Sequence, residues 1–180
     1  MRKHLMLTMA LVGLIAVSVA GIASAAGGGP VTAEAGNIRF TFDGGFKPSK
    51  LPKKKMAPIV LSASGKIATK DGTHPPALKE VEVETDKNGS IDVKGVPVCK
   101  SGQLQSRDTK AAEKVCGSAI IGTGTTSVEI QFPEQNPIPV NSKLLVFNGG
   151  TSGGKTTLFI HAYITVPTPA AIVTTVKIKK

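Results

Sequence analysis

The amino-acid sequence predicts a mainly β protein, an antiparallel β-sandwich or open barrel with one short helix inside a disulfide loop. About nine short segments alternate apolar and polar residues, which is the side-chain pattern of half-buried strands. Glycine and proline separate these segments, and the 180-residue chain contains 20 Gly and 12 Pro. A single helix-like segment lies between the only two cysteines, Cys99 and Cys116.

The first 25 residues have the order of a secretory signal peptide. Arg2 and Lys3 precede an uncharged apolar run, and Ala23-Ser24-Ala25 supplies the small residues of a cleavage site. An uncleaved membrane anchor is the alternative, because the apolar run is nearly long enough to span a bilayer. The sequence therefore predicts a secreted or cell-envelope protein whose mature chain begins at Ala26.

The rest of the chain is predicted to contain one domain. Residues 26–36 are rich in glycine and alanine, which predicts a flexible lead-in. Residues 37–180 have the length of a single β-rich domain with a usable core. Because the last strand pattern runs to the C-terminus, that domain is either complete or lacks its final strands.

The strands are predicted from alternation and from the turn residues between them. Asp43-Gly44-Gly45 is expected to end the first strand, and Asn88-Gly89 is the strongest hairpin signal in the chain. A further turn is expected over 122–126. In chain order, the predicted strands are 37–42, 59–69, 79–85, 91–93, 118–122, 127–132, 143–148, 156–166 and 171–179.

The two cysteines are predicted to pair. An even cysteine count in an exported chain favours a disulfide over a metal site, and two thiols alone make a poor zinc site. Asp108 is expected to cap a helix over 109–115, with Gly117 ending it in the left-handed conformation. In the chain-entropy model, closing a loop of this size is worth about 3 kcal/mol. No metal and no cofactor is predicted.

A lysine-rich segment is the main charge feature of this basic chain, whose formal net charge is +10. Its prolines exclude a helix or a central strand. Clustered lysines attract anionic lipids or acidic envelope polymers, whereas nucleic acid is not favoured because aromatic stacking residues are few. The alternative is a solvated loop that keeps the protein soluble. The candidate polyanion-binding residues are Lys47, Lys50, Lys53, Lys54 and Lys55.

Residues 149–156, GGTSGGKT, match two catalytic motifs by letter. A P-loop needs a helix after its glycines, but the next residues alternate like a strand, so no nucleotide is predicted. The same residues match the G-x-S-x-G nucleophile elbow, which leaves an extracellular hydrolase using Ser152 and His161 as an alternative. No acidic residue follows Glu134 to complete that triad in its usual order.

Three residues on one face of the predicted strand 156–166 form a candidate ligand groove. These residues are Phe159, His161 and Tyr163. The alternative is that they form the less buried side of a sheet.

The segment from Val93 to Gly124 resembles a group of uncharacterised exported bacterial proteins. The shared features are G-x-P-x-C ending at Cys99, C-G-x-A-x-x-G-x-G beginning at Cys116, and F-P-E-Q at 132–135. The resemblance implies a secreted β-rich domain and brings no activity, cofactor or catalytic residue. Members of the group continue past the point where this chain ends.

The expected function is that of a non-catalytic exported module, structural or adhesive, in the cell envelope. An extracellular hydrolase and a lysine-dependent polyanion binder are the two alternatives. The expected partners are anionic envelope polymers or lipids, and the sequence makes no prediction of oligomeric state.

Overall fold

The computed structural model describes residues 29–53, 55–75 and 91–179. The signal peptide predicted over 1–25 and the hairpin predicted around Asn88-Gly89 lie outside these residues. The described residues form two antiparallel sheets and one α-helix, which confirms the predicted mainly β fold class. Neither described sheet closes into a barrel. The chain divides into two compact units, Met1–Asp86 and Lys87–Lys180, and the single domain over 37–180 stays a prediction.

The first unit contains a three-stranded sheet in the order β1-β2-β3. Its strands are β1 (Val31–Ala35), β2 (Ile38–Lys47) and β3 (Val60–Thr69). The prediction of a flexible lead-in over 26–36 is wrong for 31–35, because each residue of β1 pairs with β2. Gly36 makes the tight turn between them with a positive φ of 57°.

Strand β2 is longer than its sequence pattern predicts. Asp43-Gly44-Gly45 does not end the strand, because these residues pair with Ser62, Ala63 and Ser64 of β3. A Cβ on Gly44 would lie 2.9 Å from the ring of Phe42, so glycine serves here for close approach and not for a turn. Pairing with a neighbouring strand outweighs the local turn signal.

The second unit contains a four-stranded antiparallel sheet in the order β4-β5-β6-β7. Two 3₁₀ turns and one helix precede it in the chain. The elements are a 3₁₀ turn at Ser101–Gln103, α1 (Thr109–Cys116), a 3₁₀ turn at Gly117–Ala119, β4 (Ile120–Ile130), β5 (Ile138–Ser152), β6 (Lys155–Ile164) and β7 (Ala170–Lys179).

Helix α1 begins as predicted. Asp108 is its N-cap, and its Oδ1 accepts a hydrogen bond from the backbone amide of Ala111 at 2.7 Å. The predicted left-handed stop at Gly117 is wrong, because that residue is right-handed at φ −55° and begins a 3₁₀ turn. The chain therefore passes from α1 through this 3₁₀ turn into β4, and the helix does not end at a left-handed residue.

The prediction of two strands around a turn at 122–126 is wrong, because the single strand β4 runs through the predicted turn. The whole segment pairs with β5, from Ile130 opposite Ile138 to Gly122 opposite Val146. Strand β5 likewise extends beyond the predicted 143–148, with a bulge between Asn148 and Thr151. Strands β6 and β7 agree closely with their predictions.

The core of the second unit lies between α1 and one face of the sheet. The disulfide contributes to this core, and the central strands β5 and β6 supply its largest side chains. Its buried members are Cys99, Leu104, Ala112, Cys116, Ala119, Leu145, Phe147 and Phe159.

Candidate functional site

The predicted Cys99–Cys116 disulfide is confirmed. The two sulfurs are 2.01 Å apart, and the Cα atoms are 5.7 Å apart across a sequence separation of 17. Both cysteines are buried in the core, so the bridge joins the segment before α1 to the last residue of the helix. This bond holds the helix over the sheet and is structural.

Asn148 ties the segment before the disulfide to strand β5. Its side-chain Nδ2 donates to the carbonyl oxygens of Val96 and Pro97, at 3.0 and 3.1 Å. Its Oδ1 accepts from the amide of Gly150 at 2.9 Å, and its own carbonyl accepts from the amide of Cys99 at 2.9 Å. The side chain is almost fully buried, so its own amide is satisfied by these backbone partners instead of by water.

The candidate groove face is not an open groove. His161 pairs with Leu145 and Phe159 pairs with Phe147, so these four side chains share the face covered by α1. His161 is fully buried and Phe159 is nearly so, while Tyr163 is half-buried. His161 and Phe159 therefore belong to the interior of the unit. At these two residues the face is neither a ligand groove nor the less buried side of the sheet.

The glycine-rich motif forms the hairpin between β5 and β6. Gly153 and Gly154 take positive φ values of 56° and 73° at its turn, and Ser152 pairs with Lys155. The lysine and threonine of the motif continue into strand β6 and begin no helix. The backbone arrangement that binds phosphate in a P-loop is therefore missing at this motif.

Ser152 and His161 are not brought together. Ser152 is exposed at the hairpin turn, and His161 lies six residues beyond its partner Lys155 on an extended strand. At about 3.3 Å per residue the two positions are roughly 20 Å apart. His161 Nε2 is also engaged by the carbonyl oxygen of Arg107 at 2.9 Å. The hydrolase pair suggested by the motif does not exist as a geometric unit.

The lysine-rich loop, defined here as residues 48–59 with Lys47 at its base, joins β2 to β3. Lys47 pairs with Val60 in the last register position of the two strands. Among the lysines predicted to bind polyanions, Lys54 lies outside the described residues. The other four, at positions 47, 50, 53 and 55, are exposed and form no ion pair within the described part of the chain.

Large apolar side chains are exposed in the same loop, which the sequence analysis missed. Leu51 lies between the lysines, Met56 directly follows the last of them, and Ile59 lies at the end of the loop. The signal was present in the order of residues, because K-L-P-K-K-K-M alternates basic blocks with single apolar residues. The loop therefore presents a mixed basic and apolar surface.

Two acidic residues of the first unit, Glu34 and Asp71, are held by local partners at the other end of the sheet. Glu34 contacts Arg39 at 2.8 Å and Lys70 at 3.2 Å, and the hydrogen bonds from these two cations hold the pKa of Glu34 below its ordinary value. The hydroxyl of Thr73, the amide of Asn37 and the backbone of Thr73 lower the pKa of Asp71. Neither carboxylate is positioned to pair with the loop lysines.

A shallow depression lies at that same end of the sheet, with a volume of about 500 Å³. Its lining residues are Ala35, Gly36, Asn37, Ile38, Thr69, Thr73 and His74. The polar groups there bond mainly to one another: Asn37 Nδ2 donates to Asp71 at 2.8 Å, and Thr69 donates to the carbonyl of Thr73. These contacts close a turn and leave no convergent set of unpaired groups for a ligand.

The described residues contain neither a cluster of metal ligands nor a helix that could span a membrane. In the ranges 29–53, 55–75 and 91–179, no group of three His, Cys, Asp or Glu side chains is placed to hold a metal ion. Within the same ranges, no helix has both the length and the apolar character needed to cross a membrane.

Comparison with known proteins does not assign the chain to a family. No protein-family model matches it, and no curated protein and no solved structure matches it. The resemblance to exported bacterial proteins therefore stays a prediction, and the lysine-rich loop is the feature of the described residues with the clearest binding chemistry.

Proposed function

We propose that this chain is an exported, non-catalytic binding module that attaches to anionic material of the cell envelope through its lysine-rich loop. One observation carries the proposal. Four exposed lysines lie on or at the base of one loop, and none has an acidic partner among the described residues. Uncompensated cations that are held close together attract a polyanion more strongly than the same charges spread over a surface.

The distribution of charge within the first unit supports this proposal. Glu34 and Asp71 lie near the end of the sheet where β2 begins, and Lys47 is the last residue of β2. At about 3.3 Å per residue the two ends of β2 are roughly 30 Å apart. That separation exceeds the Debye length of about 8 Å at physiological ionic strength, so Glu34 and Asp71 do not offset the charge of the loop lysines. Asp43, which precedes Lys47 on the same strand, is roughly 13 Å from it along β2, and that distance also exceeds the Debye length.

Export is supported by the disulfide and by the signal-peptide pattern of residues 1–25. Disulfides persist in oxidising compartments and are rare in the cytosol. The absence of a Ser152–His161 pair removes the reason for the hydrolase alternative. A binding role needs only a scaffold and a surface, and the three-stranded sheet of the first unit provides the scaffold for the loop.

The test is co-sedimentation of the oxidised full chain with purified cell envelopes at low and high salt. The variant K50Q/K53Q/K55Q removes three loop charges, and the matched control K110Q/K114Q/K177Q removes three exposed charges of the second unit. We expect retention at low salt, loss at high salt, and a large loss for the loop variant alone.

Other outcomes contradict the proposal. Equal losses for both triple variants would mean that net charge, and not the loop, drives binding. Retention that survives high salt would favour a shape-specific adhesive face. No retention at any salt would exclude envelope attachment.

A further inference from the structure

We infer that the partner of the lysine-rich loop is the surface of an anionic phospholipid bilayer, with Leu51 and Met56 inserting among the lipid headgroups. This inference rests on the proposed function and narrows its partner from any polyanion to a lipid surface. A soluble polyanion requires only the lysines. A bilayer also accounts for the exposed apolar residues beside them.

The apolar exposure is concentrated at this end of the unit. Single exposed apolar residues are ordinary on protein surfaces and need no explanation. Here five occur within 51–61, and the three most exposed are Met56 at 76%, Val60 at 72% and Leu61 at 69%. Leu51 is 45% exposed and Ile59 is 46% exposed. These five residues are called the apolar patch here, and exposed large apolar residues gathered in one segment are typical of an interaction surface.

The position of the patch suits a flat surface. It covers the loop and the first residues of β3, where Val60 pairs with Lys47 and Leu61 pairs with Phe46. The loop therefore forms one end of the sheet and is the part that meets a plane approached end-on. Exposed lysines and apolar side chains occur together there, so one approach engages both.

The chemistry of the two residue types is complementary at a membrane interface. Lysine ammonium groups pair with lipid phosphates while their alkyl stems lie along apolar surface. Apolar residues gain free energy by entering the boundary between headgroups and acyl chains. Neither signal alone anchors a protein stably, and the loop supplies both.

Proline reduces the cost of ordering the loop on binding. Pro48, Pro52 and Pro58 each fix φ near −65° and so restrict the conformations of the free loop. A restricted loop loses less entropy when it docks than a flexible loop of the same length.

The test exploits the absence of tryptophan from the sequence. Leu51→Trp places one fluorophore at the proposed insertion point, and Val115→Trp places a matched fluorophore at an exposed position of α1. Both full-length variants are mixed with vesicles of phosphatidylcholine alone or of phosphatidylcholine with phosphatidylglycerol. Because the N-terminal residues are identical, differences between the variants report the loop.

We expect Leu51→Trp emission to move to shorter wavelength, with quenching by brominated acyl chains, only on the anionic vesicles. Val115→Trp should not respond. In vesicle co-sedimentation without the fluorophores, L51S/M56S should weaken partition at least roughly 10-fold, and K50Q/K53Q/K55Q roughly 100-fold. The control K110Q/K114Q/K177Q should differ from the native chain by much less than the loop variant.

The opposite result separates this inference from the proposed function. If Leu51→Trp gives no shift and L51S/M56S binds vesicles like the native chain, the lipid inference is overturned. If the native chain then binds soluble polyphosphate in a way that K50Q/K53Q/K55Q abolishes, the partner is a soluble polyanion and the proposed function stands. If neither vesicles nor polyphosphate are bound, both proposals fail.

Discussion

The imidazole Nε2 of His161 lies 2.9 Å from the backbone carbonyl oxygen of Arg107, and the His161 side chain is fully buried. A carbonyl oxygen only accepts hydrogen bonds, so Nε2 carries the hydrogen in this contact. Phe147 packs edge-on against the same ring at a centroid distance of 6.4 Å. His161 therefore fastens the segment before α1 to strand β6, and its role is structural.

Replacing His161 with phenylalanine keeps an aromatic ring but removes the donor to Arg107. We expect the free energy of unfolding in urea to fall by about 1–2 kcal/mol, because the carbonyl loses its partner. Tyr163 is the next residue of β6 on the same face, and Tyr163→Phe should change the free energy of unfolding by less than about 0.5 kcal/mol. Equal stability of the two variants would show that the hydrogen bond contributes nothing.

Asn148→Ala removes three side-chain hydrogen bonds from a buried position. We expect a loss of about 2–4 kcal/mol in the free energy of unfolding, since three backbone groups lose their hydrogen-bond partner and a buried side chain is deleted. The exposed Asn141 on the same strand is the control, and its alanine variant should be nearly neutral. Hydrogen exchange at the amide of Gly150 should accelerate in the Asn148 variant and stay slow in the control.

Reduction of the Cys99–Cys116 bond should destabilise the protein. Closing a loop of this length contributes about 3 kcal/mol in the chain-entropy model. Urea unfolding with and without reductant measures the difference. The double variant C99A/C116A is the control, and its midpoint should not respond to reductant. An unchanged midpoint for the native chain would mean that the helix is held by packing alone.

Gly149→Ala should destabilise the hairpin of β5 and β6 for steric reasons. A Cβ at this position would lie 2.8 Å from the ring of Phe159 and 3.0 Å from the carbonyl oxygen of Thr157. We expect a loss of about 1–3 kcal/mol in the free energy of unfolding. Gly102→Ala meets nothing within 4 Å and should be tolerated. Comparable thermal midpoints would contradict this account of the first glycine in the motif.

Acid should weaken the first unit through Asp71. Hydrogen bonds from Thr73 and Asn37 lower the pKa of this carboxyl in the folded protein. The stabilisation by Asp71 is therefore fully present above the ordinary aspartate pKa of about 3.9. It is lost as the pH falls below that value toward the lowered pKa of the folded protein. Thermal unfolding between about pH 2 and pH 6 should show a smaller acid loss for Asp71→Asn than for the native chain. Thr73→Val should show part of the same reduction, and identical pH profiles for all three would refute the assignment.

Local signals in the sequence determined where several elements begin. Asp108 predicts the start of α1 because a side-chain oxygen three residues before an orphan amide caps it in any context. The alternation of apolar residues in β3 and β7 predicts strands because a period of two places one face toward an apolar environment. The cysteine count predicted the disulfide. These features depend on neighbours in the chain.

Strand lengths depended on partners that the local sequence does not contain. Gly122–Thr126 has turn residues, yet it stays extended because each position finds a partner on β5. Asp43-Gly44-Gly45 stays extended against β3 for the same reason. Backbone pairing satisfies donors and acceptors along the whole segment, and that gain outweighs weak local preferences.

The burial of His161 depends on tertiary packing and could not be predicted from the local sequence. Strand β6 carries apolar residues on both faces, with Leu158 and Ile160 on one and Phe159 on the other, so alternation cannot tell which face is covered. The position of α1, fixed by the disulfide, covers the face of His161. The β class, the helix and the lysine-rich loop could be predicted from the sequence, because these features follow from local chemistry. Which residues are interior followed from packing between distant segments.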